Sequence, residues 1–285
     1  MKHIILLTLT CALVAVTQAR AQIITAWTFE NDAVAVNNSP APSTGTGTSS
    51  SIGMNIYPTP NIGVTTDDVL VGKASDTGAN GVADTTQIWR IRGQAGANGA
   101  ANGWSSLAPI GTQGAVFAAS TVGYNSINVS FDWYATTQGE ANLQAEYTTD
   151  GIHWINAPIN IGANASLGLA VLNNSTSANT VFGSYISNNL LNNGALAGQD
   201  WFTGLNLSIS DPAAANDPNF AIEFVNASTG ADDVSTQGTA LNNTSGNWRF
   251  DNVVISGIVA APEPAALAFV GCGFAALVAF RRRTR

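Results

Sequence analysis

The 285-residue chain contains two cysteines, Cys11 and Cys272, and both lie in apolar segments near its ends. Because residues 22–261 contain no thiol, a disulfide framework, a cysteine nucleophile, a thiolate metal site and cysteine-linked haem are excluded there. A segment of this length can bury a sizeable core without such cross-links. We therefore predict one domain that is stabilised by packing alone.

Basic residues are also scarce in residues 22–261. Residues 22–261 contain 17 acidic side chains and four basic ones, which gives a net charge of −13 with histidine neutral. An acidic surface repels nucleic-acid phosphates and anionic lipids, so neither is an expected partner. Such a surface attracts cations. The four basic residues are Lys73, Arg90, Arg92 and Arg249.

Sequence signatures of catalysis are missing as well. His153 is the one histidine between residues 22 and 261, and no Gly-x-Ser-x-Gly motif accompanies it. There is no His-Glu-x-x-His motif, phosphate-binding loop or dinucleotide-binding glycine pattern. We therefore predict a protein that is not an enzyme. A glycan-acting hydrolase stays open as an alternative, because two carboxylates from different strands could meet in a glycosidase geometry.

The N-terminal segment has the pattern of a signal peptide. Lys2 and His3 precede an apolar run at residues 4–16, and the sequence Ala-Arg-Ala at residues 19–21 places small residues where signal peptidase reads them. The run is too short to cross a bilayer as a helix. We expect signal peptidase to remove residues 1–21.

The C-terminal segment combines three elements in a fixed order. The second element, an apolar run at residues 265–280, would form a helix of roughly 24 Å, which is short against a hydrocarbon core of about 30 Å. The arginines that follow should stay on the cytoplasmic side, so the preceding chain would lie across the membrane. The elements are a Pro-Glu-Pro triplet, an apolar run and a basic cluster, at Pro262, Glu263, Pro264, residues 265–280, Arg281, Arg282, Arg283 and Arg285.

This combination resembles a PEP-CTERM sorting signal. The resemblance implies that residues 259–285 form a sorting tail, which an exosortase cuts near the Pro-Glu-Pro triplet. It also implies transient anchoring in the inner membrane, with membrane contact only through the C-terminal helix before processing. A plain tail anchor is the alternative reading. We expect export to the cell envelope, the cell surface or the extracellular matrix of a bacterium that makes exopolysaccharide.

Residues 22–258 have the pattern of an all-β domain, with many glycines, few charges and short alternating runs between turn residues. One alternating run lies at residues 127–134, and a second, at residues 141–148, follows it after a polar turn. We predict that the two runs pair as antiparallel strands. Asp150-Gly151 predicts a tight hairpin turn with a return strand from residues 152–155. The first and clearest run points four apolar side chains to one face, at Ile127, Val129, Phe131 and Trp133.

The last predicted strand, at residues 248–256, contains a conflict of register. Trp248 and Phe250 cannot share a face with Val253 and Ile255 in a regular strand, because successive side chains alternate between faces. All four residues are large and apolar. The pattern therefore requires a β-bulge if all four are to point into the core.

Four sequence landmarks are similar to those of secreted jelly-roll proteins. They are AWTFE at residues 26–30, YTTDGIHW at 147–154, DPNFAI at 217–222 and WRFDNV at 248–253. The resemblance implies an antiparallel β-sandwich of jelly-roll type. From the apolar runs near the two ends of the chain, we predict that an N-terminal signal helix and a short C-terminal transmembrane helix flank it.

A structural calcium ion is the one cofactor that the sequence suggests. Carbohydrate-binding jelly rolls often hold calcium with a glutamate of the first strand and an aspartate of the last. The resemblance therefore implies Glu30 and Asp251 as oxygen ligands, joined by Asp32. The alternative is that Glu30 and Asp251 are solvated or paired with Arg249.

Aromatic residues suggest a second kind of site. We assign Trp133 to the core and Trp154 to packing across its hairpin, which leaves Trp104 and Tyr134 as a platform for sugar rings. The sequence thus predicts a secreted, non-catalytic envelope or matrix protein associated with exopolysaccharide. A carbohydrate-binding module with a structural calcium is the alternative, and a glycan-acting hydrolase is the third hypothesis.

Overall fold

The structure is a computed structural model, and residues 21–260 form one compact unit in it. The predicted sorting tail from residue 261 onward and residues 1–19 of the predicted signal peptide lie outside the described residues. In the described ranges, no helix has the length and hydropathy needed to cross a membrane. These ranges are 20–35, 37–54, 67–71, 86–92, 103–173, 183–188, 201–243 and 246–260.

Sixteen strands and three short 3₁₀ helices account for the regular structure of the described residues. The 3₁₀ helices are Gly162–Leu167, Pro212–Ala214 and Gly230–Asp232. The strands are β1 (Ala21–Trp27), β2 (Thr44–Gly45), β3 (Thr48–Ile52), β4 (Asp68–Val71), β5 (Gln87–Ile91), β6 (Trp104–Ser105), β7 (Gly114–Ala118), β8 (Tyr124–Ala135), β9 (Asn142–Thr148), β10 (Ile155–Ala157), β11 (Ala170–Asn173), β12 (Ser184–Ser187), β13 (Phe202–Ser208), β14 (Ala221–Asn226), β15 (Asn242–Asn243) and β16 (Trp248–Val259).

Within the described residues, two seven-stranded antiparallel sheets share one hydrophobic core. The first sheet has the order β13-β8-β16-β1-β2, with β5 also paired to β16 and β4 paired to β5. The second has the order β11-β12-β9-β14-β7-β3, with β10 paired to β9. Strands β6 and β15 form a separate two-stranded ribbon. The prediction of an all-β antiparallel sandwich is confirmed.

The pairing of β8 with β9 was predicted wrongly. The two strands follow one another in the chain but lie in different sheets, β8 between β13 and β16, and β9 beside β14. Residues 136–141 therefore carry the chain across the sandwich. Alternation of apolar residues determines the faces of a strand, but it does not determine which strand lies beside it.

The inward face of β8 matches its prediction, because Ile127, Val129, Phe131 and Trp133 are all buried. The outward face differs from the prediction toward the end of the strand. Asp132 and Tyr134 lie on that face and are buried too. The last third of β8 is therefore covered on both sides.

The bulge that β16 requires is present. The register between β16 and β8 shifts between Asp251 and Val254, and Asn252 has a φ of 48°. Asparagine tolerates this left-handed conformation better than most residues. Trp248, Phe250, Val253 and Ile255 are consequently all buried in the core.

The hairpin at Asp150-Gly151 is longer than predicted. Tyr147 pairs with Ile155, so the return strand begins at Ile155 and a six-residue loop separates it from the end of β9 at Thr148. The Asp150 carboxylate holds this loop, since Oδ1 accepts hydrogen bonds from the backbone N–H groups of Ile152 and His153, both at 2.8 Å. His153 is exposed, and its Nδ1 lies 2.6 Å from Asp150 Oδ2.

Candidate functional site

One row of side chains crosses the outer face of the first sheet. Along β8, β16, β5 and β4, residues that point into the core alternate with residues that point away from it. Direct cross-strand pairing aligns the outward residues of these four strands. A tryptophan just before β13 extends the line, with its ring centroid 5.7 Å from that of Tyr134. The arginine row, as we call it, consists of Trp201, Tyr134, Arg249, Arg90 and Asp68.

Planar groups stack against one another in the arginine row. The guanidinium carbon of Arg249 lies 4.9 Å from the centroid of the Tyr134 ring, within the range of a cation–π interaction. Between Arg249 and Trp201, Tyr134 is only 5% exposed. Trp201 and Arg249 are half-buried. On either side of Tyr134, the groups that reach the surface are therefore the indole of Trp201 and the guanidinium of Arg249.

The two arginines of the row have different partners. Arg90 forms a bidentate pair with Asp68, with Nε 2.7 Å from Oδ1 and Nη2 2.5 Å from Oδ2. Arg249 donates from Nε to Asn247 Oδ1 at 3.2 Å, and in the described part of the chain it has no salt bridge to a carboxylate. Burial lowers the pKa of Arg249, but arginine stays protonated at any physiological pH. Its guanidinium can therefore donate hydrogen bonds to a ligand.

Two aspartates lie beside the arginine row on the same face. Asp132 and Asp251 are direct cross-strand partners, and both are buried. Asp132 Oδ1 accepts a hydrogen bond from the backbone N–H of Gly204 at 2.6 Å, and Asp132 Oδ2 accepts one from Asn252 Nδ2 at 3.2 Å. Asp251 Oδ1 accepts one from the backbone N–H of Asn252. The bulge in β16 thus orients both carboxylates.

Two of the residues predicted to bind calcium, Glu30 and Asp32, follow β1, and Asp251 lies in β16, which pairs with β1. Glu30 is exposed and accepts a hydrogen bond from the backbone N–H of Gln87 at 2.7 Å. Asp32 accepts one from the backbone N–H of Ala41 at 3.3 Å. The described residues contain no group of three or more His, Cys, Asp or Glu side chains that could hold a metal ion. Calcium at Glu30, Asp32 and Asp251 stays a prediction.

The predicted sugar platform of Trp104 and Tyr134 is not assembled. Trp104 is fully buried, and its ring centroid is 4.4 Å from that of Trp248. A tryptophan without an exposed face cannot stack on a sugar, so Trp104 belongs to the core. Tyr134 lies on the outer face, where its neighbours are Trp201 and Arg249.

Sequence reasoning missed the arginines of this row, although a signal for them was present. The tripeptides Trp-Arg-Ile at residues 89–91 and Trp-Arg-Phe at 248–250 each place an arginine between two large apolar residues. In a strand, this spacing sends both apolar residues into the core and the arginine to the opposite face. With only four basic residues between residues 22 and 261, the repetition of this pattern is informative.

A carboxyl pair lies on the second sheet. Glu146 and Glu223 are direct cross-strand partners, and Glu223 is 6% exposed. Burial, and then the negative charge of Glu146, raise the pKa of Glu223 to about 8. Burial also raises the pKa of Glu146, and the two side chains share a hydrogen bond. The catalytic carboxyls of glycosidases lie about 5 Å or more apart, so a hydrogen-bonded pair does not favour the hydrolase alternative.

A second carboxyl pair, Glu140 and Asp233, is buried outside the strands. Glu140 lies just before β9, and Asp233 directly follows the 3₁₀ helix Gly230–Asp232. Burial raises the pKa of Asp233 to about 6 and that of Glu140 well above its usual range. Glu140 Oε1 accepts a hydrogen bond from the backbone N–H of Asn142 at 2.8 Å. The negative charge of Asp233 adds to the effect of burial on Glu140, so the two carboxyls do not ionise independently.

No family model and no curated protein sequence matches the chain. A solved structure from Bacteroides thetaiotaomicron, described as that of a candidate sugar-binding protein, aligns at 12% identity with a TM-score of 0.38, over 83% of this chain and 100% of that one. SGBP-B from a complex xyloglucan utilization locus in Bacteroides uniformis aligns at 12% identity with a TM-score of 0.28, over 84% of this chain and 66% of that one. At these scores the likeness carries no functional argument. The comparisons assign the chain to no family.

Proposed function

We propose that this protein is an exported, non-catalytic β-sandwich that binds polysaccharide on the outer face of its first sheet. The observation that carries the proposal is the stack of Trp201, Tyr134 and Arg249 beside the Arg90–Asp68 pair. A sugar ring has an apolar C–H face and a rim of hydroxyl groups. An indole can pack against the face, while guanidinium and carboxylate groups hydrogen-bond the rim.

The proposal includes a jelly-roll topology. The neighbours β1, β16, β8 and β13 in the first sheet, and β7, β14, β9 and β12 in the second, support it. In chain order these eight strands change sheet at every step except from β9 to β12, as expected for two Greek keys wrapped into a double sheet. The topology matters for function because it places β8 and β16 side by side in the centre of the first sheet.

Binding can be tested by the retardation of the full chain in native gels that contain laminarin, xylan, galactomannan or alginate. We expect retardation by at least one polymer. Trp201→Ala and Arg249→Lys should each weaken binding about tenfold, which corresponds to about 1.4 kcal/mol. Lysine keeps the charge of Arg249 but loses its planar set of donors.

Trp154→Ala is the matched control, because Trp154 is also half-buried but lies beside the β9–β10 hairpin of the second sheet. Its removal should leave retardation unchanged. No retardation by any polymer, or equal losses in the Trp201 and Trp154 variants, would contradict the proposal.

We also propose that the chain reaches its destination through the PEP-CTERM signal, with removal of residues 1–21 by signal peptidase and cleavage near Pro262-Glu263-Pro264 by an exosortase. Replacing Pro262 and Pro264 by alanine should leave an uncut form in the membrane fraction, detected by immunoblotting. The chain offers a control triplet, Pro58-Thr59-Pro60, in which the same double substitution should not affect processing. Normal release of the Pro262/Pro264 variant would contradict this route.

A further inference from the structure

A cavity of about 460 Å³ lies between the start of β8 and the segment that follows β13. From it, we infer a second saccharide subsite, one that binds a neutral, hydroxyl-rich part of a glycan chain. The inference rests on the proposed function for the identity of the whole ligand, but the cavity has its own chemistry and its own test. Its volume falls within the range of about 300–1,000 Å³ that is typical of small-molecule sites.

The lining of the cavity indicates the chemical class of its ligand. Its polar groups are amides and hydroxyls, which can donate and accept hydrogen bonds without carrying charge. Pro212 and Ala215 add accessible apolar surface. This combination suits a neutral sugar better than an ion. The polar groups belong to Asn125, Ser126, Asn128, Ser208 and Ser210.

Asp211 is the one ionisable residue in the lining, and it already has partners on both oxygens. Its Oδ1 accepts a hydrogen bond from the backbone N–H of Ala213 at 2.8 Å, which caps the 3₁₀ helix Pro212–Ala214. Its Oδ2 accepts one from the Tyr147 hydroxyl at 3.1 Å. Asp211 therefore holds the wall of the cavity in place, and the cavity lacks the several carboxylates that a cation site needs.

A second irregularity of β8 shapes the cavity. Asn128 pairs with Ser256 but Asn125 pairs with Ile258, so β8 contains one residue more than β16 in this stretch. Ser126 lies in the bulge and has a φ of 52°, which is uncommon for a residue other than glycine. Bulges redirect side chains and are frequent beside binding sites.

The cavity lies on the same face as the arginine row. Asn128 and Tyr134 both point outward from β8 and are six residues apart, which corresponds to about 20 Å along the strand. Two outward residues of β8 lie between them: Ser130 is half-buried and pairs with Asn206 on one side and Val254 on the other, and Asp132 is buried and pairs with Asp251. The two ends therefore fit one extended glycan chain that lies along β8, rather than a mono- or disaccharide.

The cavity itself is tested with the methyl glycosides of glucose, galactose and mannose, by saturation-transfer NMR on the full chain in a detergent that contains no sugar. We expect signal from at least one glycoside. Asn125→Trp and Ser210→Trp fill the cavity from opposite walls, so each should abolish the signal. Two variants are used so that the test does not depend on either one folding normally. Asn38→Trp, at an exposed position outside the lining, should retain the signal. No signal from any of the three glycosides, or a signal that survives both filling variants, would overturn the inference.

The link to the arginine row is tested by retardation on the polymer that the full chain binds. Asn125→Trp should weaken retardation about fivefold or more, and Trp201→Ala should act independently of it. If Trp201→Ala weakens retardation but Asn125→Trp and Ser210→Trp do not, the proposed function holds and the inference fails. If no polymer is bound but a glycoside signal is lost in both filling variants, the proposed function fails and the cavity remains a saccharide site.

Discussion

The free energy of unfolding is expected to fall by about 3–5 kcal/mol as the pH rises from 5 to 9, because Glu223 loses a proton that the folded state holds. Its pKa of about 8 in the folded protein compares with an ordinary value of 4.5. Burial beside Glu146 is the cause, since two neighbouring carboxylates cannot both ionise cheaply in a site with little water.

The sign follows from proton binding. Between pH 4.5 and 8 the folded state keeps a proton on the pair that the unfolded state has released, so the folded state binds more protons. Stability must then decrease with rising pH over this window. Glu140 and Asp233 add a contribution of the same sign, since burial raises the pKa values of both carboxyls.

Urea unfolding at a series of pH values measures the effect, with a chelator present so that divalent cations cannot replace the proton. Glu223→Gln removes the titration of this carboxyl and should make the dependence between pH 5 and 8 clearly shallower, leaving the contribution of Glu140 and Asp233. The same change at the exposed residue Glu30 controls for the loss of one carboxyl group. Stability that stays constant or increases from pH 5 to 8 would contradict the shared-proton assignment.

Trp133→Ala is expected to lower the free energy of unfolding by about 3–5 kcal/mol, because it leaves a large cavity in the core. Trp133 is fully buried and packs against two other aromatic rings. Its ring centroid is 5.7 Å from that of Trp248 and 5.9 Å from that of Phe202. The substitution therefore removes contacts with β16 and with β13 at once.

Trp154→Ala serves as the comparison, because this half-buried tryptophan is not part of the core cluster. Its loss should destabilise the domain by clearly less than the loss of Trp133, and Trp133→Phe should recover part of the difference. Both are measured by urea unfolding at pH 6. A loss below about 1 kcal/mol for Trp133→Ala would show that the inward face of β8 is assigned wrongly.

The faces of the longest strands could be read from the sequence. Ile127, Val129 and Phe131 alternate with polar residues, and a period of two leaves only one way to bury them. The bulge of β16 followed by the same reasoning, since a strict period could not bury both Phe250 and Val253. Both conclusions depend on side-chain direction, which is a local property of the backbone.

Some elements carried no such signal. Strand β3, Thr48–Ile52, lies in a stretch rich in serine and threonine that resembles a surface loop, yet it pairs along its whole length with β7. The buried Ser49 hydroxyl has a hydrogen-bond partner, because it donates to the carbonyl oxygen of Pro40 at 2.7 Å. Pairing with β7 stabilises β3 as a strand, although its own residues have only a weak preference for the β conformation.

Of the two aromatic residues predicted for a sugar platform, the sequence predicted the correct side of the strand for one and the wrong exposure for the other. Tyr134 was predicted from its outward position on β8, and the structure places it on the outer face. Trp104 was predicted from its position in a Gly- and Ser-rich segment, and it is buried against Trp248. Local composition indicates a loop, but it does not indicate whether the tryptophan in the loop points outward or into the core.

The sequence by itself determined that residues 22–261 form an acidic, cysteine-free β domain, and it determined which face of β8 is apolar and where β16 must be irregular. Those properties depend on composition and on the alternation of neighbouring residues. Only the tertiary structure decided that Arg249 lies between Tyr134 and Arg90, or that Glu146 lies beside Glu223. Strand pairing joins residues that are far apart in the chain, and the choice of neighbour depends on how all strands together bury their apolar faces.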